Sequence, residues 1–113
     1  MDTDDQKAVT SGLERRQYRR VKIVTQVRCA ALDRDAIMVT RDISIGGMFI
    51  NGDFPLPLDA ETRLTFRLYP TEPAIACRAK VMYSRMGMGM GVQFLDLSEA
   101  ASQSLLKFLN EAN

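Results

Sequence analysis

The chain contains no histidine, and only two of its 113 residues are cysteine. Without histidine, Ser-His and Cys-His catalytic pairs and histidine-based metal sites are excluded. Cys29 and Cys77 lie far apart, each within an alternating apolar pattern, so we expect two buried, reduced thiols, with a structural disulfide as the lesser alternative. We therefore predict no catalytic residues and no metal site, and an enzyme is the least expected class of protein.

Long hydrophobic runs are also missing. No apolar run approaches the ~20 residues that are needed to cross a bilayer. The first residues, MDTDDQKAVTSG, lack the basic segment and the apolar run of a secretory signal. We therefore expect a cytoplasmic protein without membrane insertion, and a chain of this length and 46% hydrophobic content suits one compact domain.

The net charge of the chain is small, but positive charge is concentrated in one segment. The net charge of +1 does not favour nonspecific binding of nucleic acid over the whole surface. Residues 14–28, however, contain six cations and one anion, a net charge of +5, which leaves −4 for the rest of the chain. Four arginines lie within RRQYRR, residues 15–20. This segment is a candidate site for an anion.

The alternation of apolar and polar residues predicts six strands and then one helix. The strands are expected over residues 21–32, 36–44, 47–51, 63–69, 74–84 and 89–97. After Leu97 the period changes: Ser98 can cap a helix that begins at Glu99, and apolar residues then recur at helical spacing. We predict an all-β domain with a C-terminal helix, in which a small antiparallel barrel closes because closure removes aggregation-prone strand edges.

The arginine segment does not favour a helix of its own. Arg15 with Arg19, and Arg16 with Arg20, would be like-charge pairs at i,i+4 spacing. A disordered basic tail is the alternative, but the segment adjoins the first strand without a linker, which holds its last members near the barrel. A guanidinium can grip phosphate with two hydrogen bonds or stack on a purine. The stretch therefore favours a compact phosphorylated purine over a diffuse polyanion.

A second polar motif, DISIGG, occupies residues 42–47. Asp42 and Ser44 lie two positions apart, hence on one strand face. A carboxylate and a hydroxyl can accept hydrogen bonds from the Watson–Crick edge of guanine, while an arginine donates to its O6 and N7. Gly46 and Gly47 permit positive φ and the close approach of a flat base. The alternative is that Asp42 and Ser44 merely cap a tight turn.

Together the two motifs resemble those of the PilZ domain, a bacterial receptor for the second messenger cyclic di-GMP. The resemblance covers roughly residues 14–110 and implies a six-stranded split barrel with a C-terminal helix, in agreement with the periodicity. It rests on Arg16-x-x-x-Arg20, on Asp42-x-Ser44-x-x-Gly47 and on the closing strand GVQF, residues 91–94.

The resemblance also implies how the chain is divided. A flexible tail is expected over residues 1–13 and a single PilZ-like domain over residues 14–113. Within that domain we expect, in order, an arginine loop at 14–20, the barrel at 21–97 and the helix at 98–111.

By resemblance, each matched residue has a role in ligand binding. Arg16 and Arg20 would clamp the phosphates and stack on or hydrogen-bond the guanines. Asp42, Ser44 and Gly47 would face a guanine from the barrel.

Three other residues concern the number of ligands and the register of the motif. In the family, an arginine just before the RxxxR motif tends to accompany two stacked ligands, and Arg15 stands there; four crowded phosphates need more cation than one pair supplies. Arg15 and Arg19 form a second RxxxR, but Arg20 directly precedes the strand, which favours the Arg16 and Arg20 register. Arg19 and Gly46 are additional candidates.

We expect residues 1 to about 19 to be mobile without ligand, to fold across the barrel with it, and so to change the surface offered to a separate downstream protein. No cofactor beyond the ligand, and no nucleic-acid partner, is expected. Two alternatives stay open: a PilZ-like interaction module that binds no ligand, and an oligonucleotide-binding barrel. The latter usually displays aromatic platforms, whereas only Tyr18 accompanies the arginines here.

Overall fold

The structure, a computed structural model, describes residues 19–112. These residues form seven strands and one helix. Their bounds are β1 Val21–Lys22, β2 Gln26–Ala31, β3 Arg34–Ile43, β4 Gly47–Asn51, β5 Glu61–Phe66, β6 Ile75–Arg85, β7 Gly89–Phe94 and α1 Glu99–Glu111.

Six of the strands close into an antiparallel barrel. Their order is β3-β2-β5-β6-β7-β4, and β4 returns to pair with β3. The short β1 pairs with the last residues of β3, Val21 opposite Ile43 and Lys22 opposite Asp42, on the edge that β2 occupies further along. The predicted six-stranded barrel with a C-terminal helix is confirmed.

The single strand predicted over residues 21–32 is interrupted at residues 23–25. Thr40 of β3, which is 1% exposed, fills the gap: its hydroxyl donates to the Ile23 carbonyl at 2.7 Å and accepts from the Thr25 amide at 3.0 Å. The Thr40 amide donates to the Thr25 carbonyl at 2.9 Å. A threonine thus satisfies the backbone groups that an unbroken ladder would have paired.

Alternate residues of the strands fill the barrel, and the helix adds Leu105 and Leu109 to the same core. Ser98 caps the helix as predicted, since its hydroxyl accepts from the Ala101 amide at 3.0 Å. Truncating a buried leucine such as Leu105 to alanine typically costs about 2–5 kcal/mol. The helix is therefore an integral part of the domain.

Cys29 on β2 and Cys77 on β6 are buried and free, which confirms the prediction of reduced thiols. They lie on either side of Leu64 in register. Burial raises the pKa of each thiol to about 11. Both thiols are thus packing groups and poor nucleophiles at neutral pH.

Within residues 19–112, no helix is both long enough and apolar enough to span a membrane. The same residues do not bring three or more cysteine, aspartate or glutamate side chains together as a metal site.

Candidate nucleotide site

The register of β1 brings the last arginine of the RRQYRR segment to the end of β3. Because Lys22 lies opposite Asp42 and Val21 opposite Ile43, continuing the register places Arg20 beside Ser44. Arg20 Nε donates to Asp42 Oδ1 at 2.7 Å, and Arg20 Nη2 lies 2.7 Å from the same oxygen. The Arg20 side chain is 47% exposed and that of Asp42 only 14%. The arginine is therefore anchored at one point and open to solvent elsewhere.

A second arginine holds the other oxygen of Asp42. The pairing of β3 with β4 shifts register between Thr40 and Asp42, a bulge that leaves both Arg41 and Asp42 outside the barrel while Thr40 and Ile43 are buried. Arg41 Nε lies 3.0 Å from Asp42 Oδ2. Two guanidinium groups thus share one carboxylate, which leaves one positive charge in excess.

Ser44 has a local structural role. It is 1% exposed, and its hydroxyl accepts from the Gly46 amide at 3.3 Å. The Ser44 amide donates to the Gly47 carbonyl at 2.8 Å. Arg20 Nη1 reaches the hydroxyl only at 3.5 Å, the outer limit for a hydrogen bond. The turn interpretation therefore fits Ser44, whereas Asp42 is engaged with arginines.

The two glycines of this turn do not use the positive φ that glycine permits. Among the glycines in residues 19–112, positive φ occurs at Gly87 and Gly89 and not at Gly46 or Gly47. Gly47 is required for another reason: a Cβ there would lie 1.9 Å from the Val92 carbonyl oxygen on the paired strand β7. Its missing side chain lets β4 and β7 approach and leaves the outer surface flat.

A cleft of about 280 Å³ opens where these residues meet. It is lined by Arg20, Ser44, Gly46, Gly47, Val92 and Gln93. Sequence reasoning did not single out Gln93, which faces outward opposite Gly47. The signal was present, since Gln93 is the polar member of an alternating strand and its partner has no side chain.

Arg19 points away from this cleft. Its Nη2 donates to the Leu109 carbonyl at 2.5 Å, near the end of α1. Helix carbonyls in the last turn lack partners within the helix, and Phe108–Glu111 includes no basic residue. Arg19 therefore supplies the C-terminal contact and positive charge that the helix lacks. Arg15 and Arg16 lie outside the described residues, as do residues 1–18 of the segment that was expected to be mobile to about residue 19.

The sequence profile of the PilZ domain family matches residues 14–111. This chain belongs to the PilZ domain family. PilZ domains are binding and adaptor modules. In this PilZ domain, Arg20 of the first motif is bonded to Asp42 of the second motif and lies 3.5 Å from the Ser44 hydroxyl. No curated protein matches the sequence.

Three solved structures share the fold of this PilZ domain. The Bacillus subtilis inhibitor of motility MotI/DgrA superposes with a TM-score of 0.74 at 22% identity over 86% of this chain, which spans only 50% of that protein. The PilZ domain of YcgR from Escherichia coli, solved with c-di-GMP, superposes with a TM-score of 0.66 at 13% identity. The match covers 87% of this chain and 91% of that one. The PilZ domain of CeSA from a cellulose-synthesizing bacterium superposes with a TM-score of 0.59 at 19% identity. The match covers 81% of this chain and 95% of that one.

Proposed function

We propose that this PilZ domain is a cytoplasmic receptor for cyclic di-GMP that signals to a separate protein. The observation that carries the proposal is that the half-exposed Arg20 is paired with Asp42 beside a cleft that Gly46 and Gly47 help to line. Family membership supports it, as does the similarity of fold to an E. coli PilZ domain solved with c-di-GMP. The chemistry is recognition and not catalysis.

The chemistry of the cluster suits a guanine nucleotide. Arg20 can donate to a phosphate or to guanine O6 and N7, and Asp42 can accept from the N–H groups of the guanine Watson–Crick edge. In the free protein these two side chains satisfy each other. Exchanging their partly exposed ion pair for ligand contacts costs little, since exposed pairs contribute about 0–1 kcal/mol.

Residues 14–20 would then fold over the cleft when the ligand binds. Arg16 would join Arg20 on the phosphates, and Arg15 would supply the further cation that a second, stacked molecule requires. The ordered segment would change the surface that a partner protein meets. We expect capture of the partner in a pull-down to depend on cyclic di-GMP.

Isothermal titration with cyclic di-GMP tests the proposal. We expect low-micromolar binding by the wild type and affinity reduced about 100-fold or more by Arg20→Ala, because charge-assisted hydrogen bonds to the ligand are lost. Arg28→Ala is the matched control: it removes the same charge from an arginine paired with Asp35 elsewhere on the barrel. It should change the affinity less than twofold.

Other outcomes would contradict specific parts of the proposal. No binding by the wild type would favour the ligand-independent interaction module. Displacement of cyclic di-GMP by single-stranded RNA or DNA would favour the oligonucleotide-binding barrel. Unaltered binding by Arg16→Ala would reject the assigned register, and one ligand per chain instead of two would reject the role of Arg15.

A further inference from the structure

Arg41 lies outside both family motifs, yet it is tightly held next to the site. Its Cζ lies 3.9 Å from the centroid of the Phe49 ring, within the range of a cation–π contact. Phe49 is on the outer face of β4 but is only 8% exposed. One face of the guanidinium therefore lies on an aromatic ring, while the Arg41 side chain as a whole is 52% exposed.

The Phe49 ring is itself supported from the neighbouring strands. Gly91 on β7 lies between Phe49 and Tyr83 in register. Because Gly91 has no side chain, the two rings meet across it, with centroids 6.1 Å apart. Tyr83 on β6 thus supports the Phe49 ring on β4, and the Phe49 ring in turn contacts Arg41.

Arg41 and Arg20 hold different oxygens of the same carboxylate. Arg20 is bonded to Asp42 Oδ1 and Arg41 to Asp42 Oδ2. Arg20 can follow a ligand, since it lies at the boundary of the arginine segment and precedes β1. Arg41 lies within β3 and has a contact with the Phe49 ring that favours its present position. When Arg20 turns to a ligand, Asp42 keeps one of its two partners.

We propose that Arg41 is a positioning residue that gives this site its preference for guanine over adenine. The inference rests on the proposed function. By holding Oδ2, Arg41 keeps the Asp42 carboxylate aimed at the base after Arg20 has left Oδ1. A carboxylate only accepts hydrogen bonds, so it matches the two N–H donors of the guanine edge, whereas adenine presents an acceptor at N1.

A first experiment needs no ligand. In the NMR spectrum of the free protein, the Arg41 Nε–Hε signal should be protected from exchange by Asp42 and shifted by the ring current of Phe49. Phe49→Leu should remove the ring-current shift, and Asp42→Asn should restore fast exchange. A signal that is unshifted and in fast exchange in the wild type would overturn the proposal, whether or not the protein binds cyclic di-GMP.

A second experiment compares cyclic di-GMP with cyclic di-AMP, which carries the same phosphates. We expect the wild type to prefer cyclic di-GMP. Arg41→Ala should lower the affinity for cyclic di-GMP about tenfold, as the loss of a hydrogen bond to a charged group implies. Affinity for cyclic di-AMP should change less than threefold. Arg28→Ala, which removes the same charge elsewhere, should leave both affinities within twofold.

The comparison separates positioning from simple charge or damage to the fold. Arg41→Lys keeps the charge without the Nε–H donor, so it should show the same loss of preference; full recovery by lysine would overturn the proposal. An equal drop for both ligands in Arg41→Ala, or a wild type without preference, would also overturn it. Failure of the wild type to bind either ligand refutes the proposed function, and the NMR result still decides the contact.

Discussion

Opposite sides of the barrel handle charge differently. We call the outer faces of β2, β5 and the first half of β6 the opposite wall. There Arg28 makes a bidentate pair with Asp35, at 2.9 and 2.6 Å, and Arg78 lies between Glu61 and Asp96, at 3.3 and 3.1 Å. These two arginines therefore meet three carboxylates, and their charge is neutralised.

The carboxylates of the opposite wall hold their charge firmly. The hydrogen bond from Arg28 lowers the pKa of Asp35, and the Arg78 backbone N–H together with its guanidinium lowers the pKa of Asp96. Both groups therefore stay ionised, and continue to pair their arginines, at neutral and mildly acidic pH.

The outer faces of β4, β7 and the last residues of β3 form what we call the site wall. There Arg20 and Arg41 share the single carboxylate of Asp42. The clefts on the opposite wall are larger, about 450 and 470 Å³ against about 280 Å³. The larger clefts therefore lie on the opposite wall, whereas the excess positive charge lies on the site wall, which supports the site proposed there for an anion.

The close approach of β4 and β7 on the site wall depends on Gly47, and substitution of this glycine tests that dependence. Gly47→Ala on the site wall should lower the free energy of unfolding by about 3 kcal/mol or more, because its Cβ would lie 1.9 Å from the Val92 carbonyl oxygen. Gly91→Ala is the control: its Cβ would make ordinary contacts, at 3.6 Å to Tyr83 and 3.8 Å to Phe49. It should change stability by less than about 1 kcal/mol in urea unfolding.

The result decides what the glycine of the second family motif does in this protein. If Gly47→Ala unfolds at lower urea concentration, loss of ligand binding by that variant reflects damage to the β4–β7 pairing. A variant with wild-type stability that fails to bind cyclic di-GMP would show instead that Gly47 serves only the ligand.

The difference between the walls extends to the interior. Cys29 and Cys77 lie behind the opposite wall, and their pKa values are raised to about 11. A raised pKa means that the folded state favours the neutral thiol, so its stabilisation is complete below about pH 9 and is lost as the pH rises toward 11. Between pH 8 and 10 we expect a loss of about 3 kcal/mol for the two thiols together.

Urea unfolding at these two pH values measures the loss. The double variant Cys29→Ala/Cys77→Ala should lose about 3 kcal/mol less than the wild type over the same range, whereas Arg20→Ala, on the site wall, should behave as the wild type does. An identical loss in the double variant would mean that other groups cause it.

The pattern of apolar residues predicted the strands and the helix because both depend on local periodicity, and closure of the barrel was inferred from the exposed edges that an open sheet would leave. It missed features that depend on contacts between distant residues. The break at residues 23–25 is stabilised by Thr40 on another strand. The position of Arg41 depends on a bulge, which places two consecutive residues outside the barrel and cannot be found from a period of two.

The sequence predicted that the arginine motif and the DISIGG motif lie together, and in the structure Arg20 does contact Asp42. Asp42 and Arg20 are separated by 22 residues, and β1 pairing with β3 joins them. The sequence did not indicate why glycine is required at position 47: Gly47 lies in a strand, and the spacing of β4 and β7, not a positive φ, requires glycine there. The contact between Arg19 and the helix spans 90 residues and had no sequence signal beyond the missing basic residue at the helix end.

The smallest expected effect concerns Arg19, which joins the segment before β1 to the end of the helix. Arg19→Ala should lower the free energy of unfolding by about 1 kcal/mol, because the Leu109 carbonyl loses its donor and the negative end of the helix loses a cation. Lys22→Ala, an exposed neighbour, removes the same charge and should cost less than about 0.5 kcal/mol. Urea unfolding compares the two.

Hydrogen exchange locates the effect. On the side of the opposite wall, Glu72 holds the middle of the helix by accepting from Ser104 at 2.8 Å and pairing with Lys107 at 3.5 Å. Faster exchange in Arg19→Ala should therefore be confined to the last turn, since the middle of the helix keeps these contacts. Faster exchange throughout the helix would mean that Arg19 holds the whole helix on the barrel, and unchanged exchange would mean that the contact contributes nothing.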